Sequence, residues 1–176
     1  MRPDRPALFL LACLALLTCN ACTTSGEPRV SESEAARIRR TAEFSNAVPV
    51  QMLLTVGTPR DSDGNRFVDT IPIVVYLFPE ASQSRLPVWS RGEFVFELRS
   101  GAGETIAQWA FSEDKAAGAR VPMSPGPGYS FYLKLPAGVD TKITGPGDLY
   151  GFFTHEKGPV AGSNGAASVR LGNHSQ

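Results

Sequence analysis

The fold is decided by one apolar stretch, residues 71–78, Ile-Pro-Ile-Val-Val-Tyr-Leu-Phe. Eight consecutive uncharged residues, rich in β-branched and aromatic side chains and lying between polar turns, are typical of a β-strand. Its residues are apolar at both odd and even positions. This pattern predicts a central strand that is covered on both of its faces.

The same period of two recurs along the chain on both sides of this stretch. Strands are predicted in 47–56, 71–78, 92–100, 104–112, 129–135, 148–155 and 167–171. In the first of them, Val48, Val50, Met52, Leu54 and Val56 are expected to share the buried face. Seven strands in roughly 130 residues predict an all-β fold, a two-layer antiparallel β-sandwich with an immunoglobulin-like or related Greek-key arrangement. A closed barrel is the alternative, and no helical period of useful length follows residue 45.

The composition agrees with one globular domain and excludes several classes of protein. The 176 residues include 17 Lys and Arg against 17 Asp and Glu, so the formal net charge at pH 7 is zero. A nucleic-acid-binding protein would need a basic face, so nucleic acid is not an expected partner. All three cysteines lie in the first 22 residues. Residues 23–176 therefore hold no disulfide, zinc–thiolate site or cysteine nucleophile.

Residues 1–21 have the features of a secretory signal peptide. Arg2 and Arg5 make the beginning positive, and residues 7–17 form an uninterrupted apolar run. Such a run is too short to span about 30 Å of hydrocarbon as a helix, but it has the length of a signal-peptide core.

Small residues surround the cysteines that follow the apolar run, in Thr18-Cys19-Asn20-Ala21-Cys22. This segment resembles the lipobox of bacterial lipoproteins. The resemblance implies that Cys22, or alternatively Cys19, is lipidated and becomes the first residue of the mature chain. It also implies a partner, the membrane, reached through the lipid anchor. The expected location is the bacterial cell envelope. In a Gram-negative cell, Thr23 after Cys22 implies the outer membrane, facing the periplasm.

A tether is predicted between the anchor and the domain. Residues 22–46 begin with small polar residues and Pro, which is typical of a linker. Ser31 and Glu34 form a capping-box pattern that predicts one or two helical turns. The β-sandwich domain is then expected to occupy residues 47–173.

A calcium site is suggested by the stretch 61–69, in which Asp61, Asp63, Asn65 and Asp69 are the candidate ligands. Closely spaced oxygen ligands around a glycine suit Ca²⁺. The stretch resembles the calcium loops of EF-hands and dockerins, but it lacks their terminal bidentate Glu. The alternative is a turn between the first two strands, in which the Asp and Asn side chains cap the backbone. No cofactor other than calcium is predicted.

Two aromatic residues are candidates for contact with a ligand. Tyr132 lies on the polar face of its strand, and Trp89 directly precedes a strand. Exposed aromatic rings stack on sugar rings, whereas the alternative for Trp89 is to fill one end of the core.

Residues for catalysis are not evident in this sequence. His155 is the single histidine outside the last three residues, and no Gly-x-Ser-x-Gly motif is present. The protein is therefore expected not to be an enzyme but an envelope lipoprotein that binds an envelope protein or glycan, or gives structural support. One alternative is a small glycan or cell-wall hydrolase with paired carboxylates. The other is a calcium-dependent carbohydrate-binding module.

Overall fold

The computed structural model describes residues 47–143, 145–156 and 160–173. The signal peptide, the lipidated cysteine and the tether predicted above lie outside these residues. Within them the chain forms nine strands and one short helix. The strands are β1 (Pro49–Val56), β2 (Thr70–Pro79), β3 (Gly92–Ser100), β4 (Thr105–Phe111), β5 (Arg120–Pro122), β6 (Pro127–Lys134), β7 (Gly145–His155), β8 (Val160–Gly162) and β9 (Ala167–Leu171), and helix α1 is Glu113–Gly118.

The strands form two antiparallel sheets that pack face to face. The first sheet has the order β1-β2-β6-β5, and the second has the order β4-β3-β7, with β8 and β9 pairing with successive parts of β7. This is the strand order of an immunoglobulin-like sandwich, ABED against CFG, with an added strand beside C. The predicted all-β sandwich is confirmed, and each of the seven predicted strands is present.

The core lies between the two sheets and is rich in aromatic rings. Strand β2 contributes every second residue, from Ile71 to Leu77, to this core. On the facing sheet the ring of Phe94 lies 4.8 Å from the ring of Tyr129 and 4.7 Å from that of Phe153, between centroids. Burial of each such side chain contributes about 1.5–3 kcal/mol to the stability of the sandwich.

The two edges of the sandwich are closed in different ways. At one edge the backbone N–H of Asn164 donates to the carbonyl of Met52 (3.3 Å), which joins β1 to the loop between β8 and β9. At the other edge α1 connects β4 to β5 and buries Ala116 in the core. Trp109 Nε1 donates to the carbonyl of Lys134 (2.7 Å) and ties β4 to β6. Within the described ranges, no helix has the length and apolar character needed to cross a bilayer.

Two expectations about the faces of the strands are wrong. Val50 was expected on the buried face of β1, but it is 49% exposed because a bulge between Pro49 and Gln51 offsets the alternation. Strand β2 was expected to be covered on both faces. Its odd-numbered residues are buried, whereas the even-numbered residues from Pro72 to Phe78 are half-buried on the outside of the first sheet. No layer of the described chain covers that side.

Candidate functional site

The outer face of the first sheet carries a continuous strip of apolar and aromatic side chains. The cross-strand register places Leu53 opposite Tyr76 and Pro72 opposite Tyr132, so these side chains are neighbours on one face. Tyr132 is 62% exposed and Leu53 is 43% exposed. We call this strip the aromatic band; its members are Leu53, Pro72, Val74, Tyr76, Phe78 and Tyr132.

Tyr76 has a fixed position within the aromatic band. Its ring lies over Gly128, where an added Cβ would be 3.1 Å from Tyr76 Cε1 and would push the ring outward by a few tenths of an ångström. The Tyr76 hydroxyl donates to the carbonyl of Ser124 (3.2 Å). Desolvation by burial raises the pKa of this hydroxyl, which keeps it protonated as a donor. The ring is thereby oriented before any contact with a partner.

The outer face that carries the aromatic band has its charged side chains at one end, with Arg60 opposite Thr70 and Lys134 on β6. On β1, β2 and β6 the outward positions hold one charged side chain, Lys134, at the end of the sheet. Lys134 Nζ lies 3.8 Å from Asp69 Oδ2. The neutral polar residues of this face are Thr55, Thr70 and Ser130, which carry hydroxyls, and Gln51, which carries an amide. This face therefore combines aromatic rings with neutral hydrogen-bonding groups.

The outer face of the second sheet is charged and internally paired. Arg99 Nη2 lies 2.9 Å from Glu97 Oε2, and the Arg99 guanidinium lies 5.0 Å from the centre of the Tyr150 ring. Thr105 Oγ1 donates to Glu97 Oε1 (2.5 Å). The hydrogen bonds from Arg99 and Thr105 lower the pKa of Glu97. Phe152, 37% exposed, lies opposite Val95 on this face and is its most exposed large hydrophobic side chain.

The predicted calcium stretch forms a turn in which side chains cap the backbone. Asp61 accepts hydrogen bonds from the N–H groups of Gly64 (2.7 Å) and Arg66 (2.7 Å). Desolvation opposes ionisation of Asp61, but these backbone donors outweigh it and lower its pKa. Gly64 and Arg66 both have positive φ, at 80° and 73°, which the tight turn requires.

The remaining candidate ligands of this stretch bond to other groups. Asn65 Nδ2 donates to Asp63 Oδ2 (3.1 Å) and to Asp140 Oδ2 (2.7 Å). Asp69 accepts hydrogen bonds from the N–H (2.8 Å) and the hydroxyl (2.5 Å) of Ser62. In the part of the chain that the structure describes, no three His, Cys, Asp or Glu side chains are grouped to hold a metal ion. The geometry is that of the capping turn.

The two predicted ligand-contact residues have different surroundings. Tyr132 belongs to the aromatic band and is its most exposed ring. Trp89 packs partly buried against the core, and its Nε1 donates to the carbonyl of Gly128 (2.8 Å). Trp89 therefore serves the sandwich itself. Sequence reasoning did not single out Leu53, and it included Tyr76 only as one of several aromatic residues that could form exposed platforms.

The carboxyl groups with clearly displaced pKa values do not resemble a general acid. In Asp61, Asp69 and Glu97 the pKa is lowered, whereas a carboxylic acid that donates a proton to a leaving group needs a raised pKa. For Asp69 desolvation opposes the shift, and the hydrogen bonds from Ser62 outweigh it. These groups are structural acceptors that stay ionised.

Comparisons of the chain with models of protein families, with curated proteins and with solved structures found no match. An immunoglobulin-like sandwich hosts many unrelated functions, so the fold by itself selects none of them. The features that bear on function are the aromatic band and the sequence that precedes β1.

Proposed function

We propose that this protein is a lipid-anchored lipoprotein of the bacterial envelope whose β-sandwich is a non-catalytic binding module. Its contact surface is the aromatic band. The observation that carries the proposal is the outer face of the first sheet, where the half-buried side chains of β2 lie beside the exposed Leu53 and Tyr132. The largest apolar patch on a soluble monomer is often its functional contact surface.

The lipobox-like sequence supports attachment to a membrane. Lipidation at Cys22 would leave 25 residues, 22–46, before the described domain. At about 3.4 Å per residue this segment reaches at most about 85 Å, so the domain stays close to its membrane. Two or three acyl chains hold a protein durably on a bilayer, whereas a single chain is marginal.

The anchor is tested by labelling cells with an alkyne-bearing fatty acid and isolating the full-length protein. We expect the wild-type protein to carry the label and to sediment with the membranes. Cys22→Ser should lose both properties, whereas the matched control Cys19→Ser should retain them. Labelling that survives Cys22→Ser and disappears in Cys19→Ser would assign the lipid anchor to Cys19. Labelling that persists in both variants would contradict lipidation at either cysteine.

The contact surface is tested separately, with a photo-crosslinking amino acid introduced into the full-length protein in cells. We place it at Tyr132 in the aromatic band and, as the matched control, at Phe152 on the charged sheet. Both rings are exposed, so both positions tolerate the probe. The proposal predicts crosslinked products at Tyr132 in excess of those at Phe152. Equal yields at the two positions would contradict it.

A further inference from the structure

We propose that the aromatic band binds an uncharged polysaccharide chain, whose pyranose rings stack on Tyr132 and extend over β2 toward Tyr76. This inference rests on the contact surface proposed above and names its occupant. It requires no calcium. It is carried by three properties of the band, namely its charge, its dimensions and its chemistry.

The charge of the surface favours a neutral occupant. Lys134, at one end, is the only charged side chain on the outward positions of β1, β2 and β6, and it already faces Asp69. An anionic partner would place most of its charge opposite apolar side chains. That charge would lose its hydration without gaining an ionic or hydrogen-bonding partner. The charged outer face of β3, with Glu97 and Arg99, offers such partners a better surface.

The band alone is smaller than the surface that a stable dimer usually buries. Three strands about 4.8 Å apart and about eight residues long, at 3.3 Å per residue, present roughly 15 by 25 Å, or under about 400 Å². A standard protein–protein interface buries about 800 Å² on each partner. A narrow, elongated surface of this size suits one extended chain. The rows of Tyr132 and Tyr76 are about 13 Å apart along β2, so a single sugar would contact only one of them.

The chemistry of the band suits sugar rings better than a peptide. A pyranose has an apolar face that stacks on an aromatic ring and a rim of hydroxyls that needs hydrogen-bond partners. Thr55, Thr70 and Ser130 provide those partners beside Tyr132 and Val74. A helical peptide needs a concave apolar groove and an extended peptide needs a free strand edge. The band is instead the open face of a sheet.

The fixed orientation of Tyr76 favours binding. Its ring is held against Gly128, and its hydroxyl is bonded to Ser124. A side chain that is already ordered loses little conformational freedom when a ligand arrives, so more of the stacking energy appears as affinity.

The experiment is co-sedimentation of the full-length protein, purified in mild detergent, with insoluble chitin, cellulose and peptidoglycan sacculi. We expect the wild-type protein to pellet with chitin or cellulose, both in high salt and in EDTA. These two polymers are uncharged, whereas the sacculi carry the ionised groups of their peptide stems, so binding to the sacculi alone would overturn a neutral occupant. Tyr132→Ala should weaken binding about tenfold, the equivalent of one stacking contact of about 1.4 kcal/mol.

Two further variants make the result specific. Phe152→Ala removes an exposed ring from the opposite sheet and should bind as the wild type does. Tyr132→Trp keeps a ring at the site and should retain binding, which separates stacking from a folding defect.

The proposal is overturned if no polysaccharide pellets the protein, if Tyr132→Ala binds like the wild type, or if high salt abolishes binding. It is also overturned if Cys22→Ser protein, which lacks the proposed lipid, sediments instead with phosphatidylcholine vesicles through Tyr132. In the latter case the lipid surface is the occupant. In either case, crosslinking at Tyr132 in cells would still support the aromatic band as a contact surface. Failure of the polysaccharide proposal can therefore be distinguished from failure of the proposed function.

Discussion

Replacing Tyr129 with Phe should destabilise the domain more than any other loss of one hydroxyl. Tyr129 is fully buried at the start of β6, and its hydroxyl donates to the carbonyl of Ser90 (2.8 Å) and accepts from the N–H of Ser90 (2.8 Å). Ser90 is 8% exposed, so water does not replace the lost partner. Each buried backbone group left without a partner costs about 1–3 kcal/mol. We expect the free energy of unfolding to fall by about 2–4 kcal/mol.

The measurement is equilibrium unfolding in urea, followed by the fluorescence of Trp89 and Trp109. The matched control is Tyr132→Phe, which removes an exposed hydroxyl and should change the free energy of unfolding by less than about 0.5 kcal/mol. A loss below that limit for Tyr129→Phe, or equal losses for the two variants, would refute the assigned role of the Tyr129 hydroxyl.

The same substitution has a predicted pH dependence. Desolvation raises the pKa of Tyr129, so the folded protein disfavours the phenolate. The stabilisation is fully present below about pH 10, the pKa of tyrosine in an unfolded chain, and is lost as the pH rises through the folded pKa. The difference in the free energy of unfolding between the wild type and Tyr129→Phe should therefore be constant below about pH 10 and become smaller above it.

Three further changes test the loops and the strand contacts. Asp69→Asn should cost about 1–3 kcal/mol at neutral pH because the hydrogen bonds from Ser62 lose their ionised acceptor. The pKa of Asp69 is lowered in the folded protein, so the difference in the free energy of unfolding between the wild type and Asp69→Asn should disappear as the pH falls below about 4. Urea unfolding at a series of acidic pH values would show this. Gly92→Ala should lower the melting temperature markedly, since its Cβ would overlap a backbone carbonyl of β7, whereas Gly101→Ala, with open space around it, should not. EDTA should leave the melting temperature unchanged because backbone N–H groups already occupy the Asp61 carboxylate.

The strands could be predicted because their periodicity is strong and local. In β3 the alternation of Phe94, Phe96 and Leu98 with Glu93 and Glu97 identifies both the element and its buried face. Such a pattern needs about five residues to be recognised. The hairpin that joins β3 to β4 was equally local, because a short Gly-rich turn connects adjacent antiparallel strands.

The elements that were missed are too short to have a period. Strands β5 and β8 have three residues each, and α1 has six. Strand β5 exists because Arg120–Pro122 meets the edge of β6, and that pairing is a property of the tertiary structure. The bulge that exposes Val50 likewise comes from the register between β1 and β2 and not from the residues of β1 themselves.

Of the aromatic band, the sequence predicts the exposure of Tyr132 but not that of the other members. Tyr132 stands out because its neighbours on the same face, Ser130 and Lys134, are polar, which indicates an exposed side. Tyr76 and Leu53 have apolar neighbours, and apolar neighbours indicate burial. A hydrophobic pattern shows which side chains avoid water, but it does not show whether the same chain provides the layer that covers them.

The contrast between the two outer faces bears on why the aromatic band exists. Strand β3 carries three charged side chains on its outer face, at Glu93, Glu97 and Arg99. Strand β2 is equally central in its sheet, but its outward positions from Pro72 to Phe78 carry no charge. An apolar sheet face that remains in water adds nothing to the core and promotes aggregation. This contrast between the two outer faces supports the proposed contact of the aromatic band with a partner outside the sandwich.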